Sequence, residues 1–140
     1  MEVPSDALYG VQTQRARHNF DLPGIPLSHF PELVNALAFV KLACAKANSE
    51  LGVLQADKAA VIEVAVKKIL AGHYHESFIV DMIQGGAGTS TNMNANEVIA
   101  NVGLELMGKE KGSYYLLHPN NDVNCSQSTN DVYPLSLIHI

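Results

Sequence analysis

Three stretches of this chain carry apolar residues at helical spacing, and each stops on a glycine. The first opens at Pro31, a residue suited to the first turn of a helix, with Ser28 nearby as a cap. Leu33, Leu37, Val40, Cys44, Ala47 and Leu51 follow the helical period, and Ala36, Ala38, Ala43, Ala45 and Ala47 make a thin, strongly helix-favouring rod up to Gly52. The second begins after Asp57, a good N-cap, and its apolar face is Val61, Ile62, Ala65, Val66, Ile69 and Leu70. Lys67 and Lys68 complement the dipole of its last turn before Gly72. The third spans about Thr91–Met107, with Met93, Val98, Ile99, Val102 and Leu106 apolar, and stops at Gly108. The fold class that follows is mainly α. The first two helices form an antiparallel hairpin that reads as scaffold without chemistry.

With 140 residues, 47% of them hydrophobic, the chain can bury one modest globular core. A net charge of -5 argues against a nucleic-acid surface. No run of 18 apolar residues is present, so neither a spanning helix nor a membrane partner is expected. Met1–Asp6 lacks the basic and apolar regions of a secretory signal. Cys44 and Cys125 are far apart and fit no metal spacing, which makes reduced thiols in a cytoplasmic protein the expectation. Residues 1–30 read as extended chain and turns, with a short helix around Tyr9–Phe20. There is no internal repeat and no linker.

Two polar stretches carry what chemistry the sequence offers. Gln84-Gly85-Gly86-Ala87-Gly88-Thr89-Ser90-Thr91-Asn92-Met93-Asn94-Ala95-Asn96-Glu97 is a glycine loop feeding a helix N-terminus, whose unpaired N–H groups and partial positive charge suit an anion. It lacks the lysine of a phosphate-binding loop, and Thr91 stands where a dinucleotide fingerprint needs its third glycine. Asn94 and Glu97 have capping-box spacing. Asn92, Asn96 and Asn101 are an excess of poor interior helix formers, which points to side-chain hydrogen bonding. The second stretch, His118–Asp131, is almost entirely hydrogen-bonding side chains, and Ser128-Thr129-Asn130-Asp131 precedes another helix. Each stretch alone reads equally well as a turn and a helix cap; two of them in one small domain suggest a convergent site. His73-Tyr74-His75-Glu76 is a weak metal pattern without a third ligand at a recognised spacing and reads as a polar connection.

On these residues the chain resembles the aspartase/fumarase superfamily. The resemblance lies in Gly85–Asn101, in His118-Pro119-Asn120-Asn121-Asp122-Val123-Asn124 and in Ser126–Asp131. Val3–Thr13 and Phe30-Pro31-Glu32-Leu33 add to it, so that it covers roughly residues 2–134. Tyr9-Gly10-Val11 and Thr129 favour the ammonia-eliminating branch, with class II fumarase as the alternative. The resemblance implies the largely helical N-terminal domain of that fold, truncated before the central helical bundle. It implies a homotetramer whose active sites each draw on three subunits, and reversible elimination of ammonia from L-aspartate to give fumarate, with no cofactor and no metal.

The resemblance also implies that Thr89, Ser128, Thr129 and Asn130 contact the dicarboxylate. His118, Asn120 and Asn121 match the region of a secondary anion site, although Asn121-Asp122 departs from the usual Asp-His. The family's general base, a serine on a mobile Gly-Ser-Ser loop, lies downstream of this segment, so no catalytic base is expected within residues 1–140. The resemblance further implies that residues precede Glu2, that Met1 is an internal methionine, and that 135–140 form a foreign tail. The competing expectations are a non-catalytic dicarboxylate-binding module and a helical interaction domain without a ligand.

Overall fold

A computed structural model describes residues 1–21, 24–84 and 86–140 of the chain; Leu22, Pro23 and Gly85, the first glycine of the loop, lie outside the described residues. Five helices dominate: α1 (Val11–Asn19), α2 (Pro31–Glu50), α3 (Ala56–Leu70), α4 (Thr89–Leu106) and α5 (Thr129–Ile138). Short 3₁₀ turns stand at Leu27–His29 and His75–Ser77, and a π-helical turn at Pro119–Val123. Among the described residues the only β pairing is an isolated antiparallel bridge between Pro26 and Asp81.

The three long helices appear where the periodicity places them, with corrected ends. Phe30, not Ser28, is the N-cap residue of α2, and no side chain caps it. Gln55, not Asp57, precedes α3; Asp57 lies in its first turn, where its carboxylate accepts from the Lys58 N–H at 2.8 Å. Helix α4 starts at Thr89, two residues earlier than its apolar period suggests. Gly52, Gly72 and Gly108 stand just beyond α2, α3 and α4 with φ of 70°, 89° and 67°, the left-handed conformation that stops a helix. Helix α5 continues through Leu135–Ile138, and its buried Ser136 hydroxyl donates to the Val132 carbonyl at 2.8 Å.

Helix α4 is the axis of the domain. It packs against α1, α2, α3, α5 and the π-helical turn, and from Thr91 to Leu104 only Met93 escapes full burial. The core joins its Ala95, Val98, Ile99 and Val102 to Leu33, Val34 and Leu37 of α2, Ile62, Val66 and Ile69 of α3, and Leu27, Phe78 and Leu117. A helix surrounded in this way must bury its polar side chains too, so each needs a partner inside the protein.

Glu97 shows how this is solved, and it corrects the capping-box reading. Lying within α4, it caps a different helix. Its carboxylate accepts from the N–H groups of Gly10 (2.9 Å), Gln12 (2.8 Å) and Thr13 (3.0 Å) and from the Thr13 hydroxyl (2.6 Å). It thereby meets the orphan donors and the positive end of α1. Gly10 is required at this approach, because a Cβ there would stand 2.8 Å from the Glu97 carboxyl carbon and 2.5 Å from the Tyr114 hydroxyl. Asn94, the other half of the supposed box, accepts from Val80 N–H at 3.2 Å and donates to the Ser77 carbonyl at 3.0 Å.

Hydrogen bonds to a charged group contribute about 1.5–3 kcal/mol each, and Glu97→Gln turns an N–H donor toward N–H donors at one of the two oxygens. The substitution is expected to cost about 2 kcal/mol or more, read as a lower urea midpoint. It is also expected to accelerate amide exchange at Gly10–Thr13 selectively.

Candidate functional site

The glycine loop and the second polar stretch meet where α4 and α5 begin. Gly88, buried and at φ 85°, is the residue before α4. A Cβ on it would lie 2.3 Å from the ring of Tyr133 in α5, so glycine is needed both for the left-handed turn and for this contact. One turn into α4, Asn92 Nδ2 donates to Thr129 Oγ1 at 3.0 Å. The N-termini of α4 and α5 are thus brought side by side. Gln84 secures the loop from behind: its side-chain oxygen accepts from the Thr91 N–H at 3.1 Å, and its amide bonds the Thr91 hydroxyl.

Each residue expected to touch a carboxylate has a definite place. Thr89 is the first residue of α4 and is exposed. Ser128 is the N-cap of α5, where its hydroxyl accepts from the Asn130 N–H at 3.2 Å. Thr129 is half-buried and Asn130 is exposed, both in the first turn of α5. The structure therefore brings the two loops of the sequence together, with Thr129 bonded to α4.

His118, Asn120 and Asn121 also cluster, in a closed arrangement. His118 Nδ1 accepts from the backbone N–H groups of Asn120 (3.0 Å) and Asn121 (3.1 Å). An anion taking those two N–H groups would have to displace the imidazole. Asp122 ties this turn to the hairpin: it pairs with Lys58 Nζ at 2.8 and 2.9 Å and accepts from His118 N–H at 2.7 Å.

The hairpin is therefore not bare scaffold, and the residue missed there is Lys41. Lys41 is fully buried on the inward face of α2. Its Nζ donates to Asn92 Oδ1 (2.6 Å), Asn124 Oδ1 (2.8 Å) and Gln127 Oε1 (2.9 Å). Asn48, one helical repeat further along α2, donates to the Cys125 carbonyl at 2.8 Å. The signal was present in the sequence. Lys41 falls four residues after Leu37 and four before Ala45, on the stripe that faces the core, where an unpaired lysine is not tolerated.

Three acceptors for three N–H groups is the coordination of an ammonium. Burial acts against that charge and pushes the Lys41 pKa down to about 7, while Cys44 raises it. Burial likewise pushes the Cys44 thiol up, against the pull of Lys41. His75, half of the weak metal pattern, bonds the Ile69 carbonyl through Nε2 at 2.8 Å and stands edge-on to Phe78. No helix of the described residues is long and apolar enough to cross a membrane.

Chemically, the paired helix starts offer hydroxyls and backbone N–H groups at the positive ends of two helix dipoles. This is a donor set for a carboxylate. The chain as a whole is similar to known lyases. A sequence profile described as "Lyase" matches residues 1–140. The chain is 64% identical over 137 residues to aspartate ammonia-lyase of Pseudomonas aeruginosa, covering 98% of this chain and 29% of that protein. It is 52% identical over 139 residues to aspartate ammonia-lyase of Bacillus subtilis, covering 99% and 29%. Among solved structures, "fumarate lyase:delta crystallin" from Brucella melitensis superposes with a TM-score of 0.96 at 54% identity, covering 98% of this chain and 32% of that one. Recombinant class II fumarase from Schistosoma mansoni gives 0.88 at 33% identity, covering 98% and 29%. The chain spans about 29% of the length of the curated relatives it matches.

The buried lysine gives the site a pH signature. An unfolded lysine titrates near 10.4, whereas Lys41 in the folded protein titrates at about 7. Between those values the unfolded chain binds the extra proton, so the cost of holding the charge buried is fully present below about 7 and is relieved as pH rises toward 10. Stability should increase with pH across that window, by at most about 1.4 kcal/mol per unit. Lys41→Met should flatten this rise in urea titrations at successive pH values.

Proposed function

The chain belongs to the lyase family, and on that premise we propose that it forms the carboxylate-binding part of an aspartate ammonia-lyase active site, which converts L-aspartate reversibly to fumarate and ammonia. The observation that carries this reading is the junction of the two helix starts through Asn92 and Thr129, at 3.0 Å. Identities of 64% and 52% to proteins named aspartate ammonia-lyase, against 33% to a class II fumarase, favour ammonia over water as the group eliminated.

In this reading a base removes the proton beside the β-carboxylate, and the electron pair moves onto that carboxylate as an aci-carboxylate. The pair then returns to form the C=C bond as ammonia leaves with the electrons of the C–N bond. Negative charge grows on the carboxylate between substrate and intermediate. Preorganised donors placed there stabilise the transition state more than the substrate. Thr89, Ser128, Thr129 and Asn130 are the residues proposed for this contact, and His118, Asn120 and Asn121 for a secondary anion site once the imidazole turns away. The base comes from outside this segment. The wider proposal includes a homotetramer in the cytoplasm, in keeping with the unpaired Cys44 and Cys125 thiols, and treats 1–134 as the lyase segment, with 135–140 a foreign tail.

Two measurements test this. The 140-residue chain alone should form no fumarate from aspartate in an ultraviolet assay, and turnover by the purified chain would refute the division of the site. In a chimera carrying residues 1–134 in place of the matching segment of the Pseudomonas aeruginosa enzyme, Thr129→Ala should lower kcat/KM by roughly tenfold to a hundredfold. That loss corresponds to about 1.5–3 kcal/mol for a hydrogen bond to a charged group. Cys125→Ala should leave turnover unchanged, since the thiol's hydrogen-bond contact is with the neighbouring Ser126 Oγ at 3.7 Å. Equal losses from both substitutions would make the second loop a structural cap only.

A further inference from the structure

We propose that Lys41 is a positioning residue for the Thr129 hydroxyl, acting through the side-chain amide of Asn92. The inference rests on the carboxylate-binding role proposed above for Thr129.

The argument is one of hydrogen-bond direction. An amide side chain can present either its oxygen or its nitrogen to a neighbour, and nothing in Asn92 itself chooses between them. Lys41 chooses, because its Nζ donates to its three side-chain partners. It takes the oxygens of Asn92, Asn124 and Gln127 at 2.6, 2.8 and 2.9 Å. The nitrogens of all three amides are thereby turned away from it. Asn124 Nδ2 donates to the Gln127 carbonyl at 3.0 Å, and Gln127 Nε2 donates to the carbonyls of Val123 and Cys125 at 2.9 and 3.1 Å. Asn92 Nδ2 spends its two N–H groups on Asn124 Oδ1 (3.1 Å) and Thr129 Oγ1 (3.0 Å).

The consequence falls on Thr129. Its oxygen accepts from the buried side, so its single proton must point elsewhere, toward the half-exposed side where a substrate carboxylate would lie. Donation runs in one direction, from the Lys41 ammonium through the Asn92 amide to the Thr129 hydroxyl. Each bond polarises the next in a region of low dielectric. Lys41 stands two hydrogen bonds behind the hydroxyl and touches no substrate. Without it, the side-chain oxygens of Asn92 and Gln127 lose their donor, and that of Asn124 keeps only the Asn92 N–H. Asn92 is then free to rotate so that its oxygen faces Thr129, and the hydroxyl proton turns inward to that oxygen. The site keeps its shape and loses a correctly directed donor.

A double-substitution cycle in the chimera separates this from a packing role. The unmodified chimera must turn over aspartate, which tests the reading that the inference rests on. Lys41→Met is then expected to lower kcat/KM at least tenfold, with more of the loss in kcat than in KM because the intermediate is the more charged species. Adding Lys41→Met to Thr129→Ala should cost less than about twofold more, since the hydroxyl it directs is already gone. Asn92→Asp provides a second route that keeps an acceptor for Lys41 and removes the N–H that faces Thr129; it too should lose at least tenfold and be nearly silent beside Thr129→Ala. If Lys41→Met fails to fold, the Asn92→Asp cycle decides alone. Losses that multiply in the double variants, or full activity in Asn92→Asp, would overturn the proposal.

Discussion

Helix α4 is enclosed on every side, yet it carries Thr91, Asn92, Asn94, Asn96, Glu97 and Asn101 in its buried positions. An unpaired polar group in such a place costs about 1–3 kcal/mol, and an unpaired charge more. The irregular segments of the domain are arranged to meet this demand. Glu97 holds the start of α1. Asn101 donates to the Leu8 carbonyl at 2.7 Å and accepts from Gly112 N–H at 2.9 Å, so it fastens two separate turns. Asn94 holds the segment around Ser77 and Val80, and Thr91 holds Gln84. Loops that have almost no strand pairing to fix them are fixed by side chains of one helix. Asn96 is the exception: among the described residues its Oδ1 has no partner, and its amide reaches only Met93 Sδ at 3.5 Å.

The same arrangement bears on how a chain of net charge -5 could present the carboxylate-binding surface proposed for it. Two helix starts placed side by side supply positive character there, with the Lys41 amino group buried behind them. Lys41 and Lys58 both lie on the helical hairpin and both reach the second loop, Lys58 through Asp122. That hairpin thus supplies the rigidity of the site as well as the core. Ser126, at φ 57°, marks the strain of the loop that must bring Asn124, Gln127 and Thr129 to their partners within a few residues.

Local chemistry explains which features could be read without coordinates. The extents of α2, α3 and α4 follow from apolar period and from the glycines that end them, because both act over one or two turns. The two anion-suited loops were visible as clusters of glycine, hydroxyl and amide residues, and the surplus of asparagine in α4 did foretell buried hydrogen bonds at Asn92 and Asn101. The capping-box error has a clear cause. The Asn94–Glu97 pair is a good capping box by type, yet caps compete with distant partners. Glu97 found the orphan N–H groups of a helix more than eighty residues away in sequence.

The sequence by itself determined the helical class, the places where helices stop and the residue types able to hold a carboxylate, since these depend on backbone preference and short-range spacing. Tertiary structure decided which of those residues meet. Only packing α4 and α5 across the contact between Gly88 and Tyr133 sets Asn92 against Thr129. Only enclosing α2 against both loops makes Lys41 a buried donor to three amides. Periodicity can put a lysine on an inward face; the oxygens that make its burial tolerable come from residues 51, 83 and 86 positions away, and no local rule carries that far.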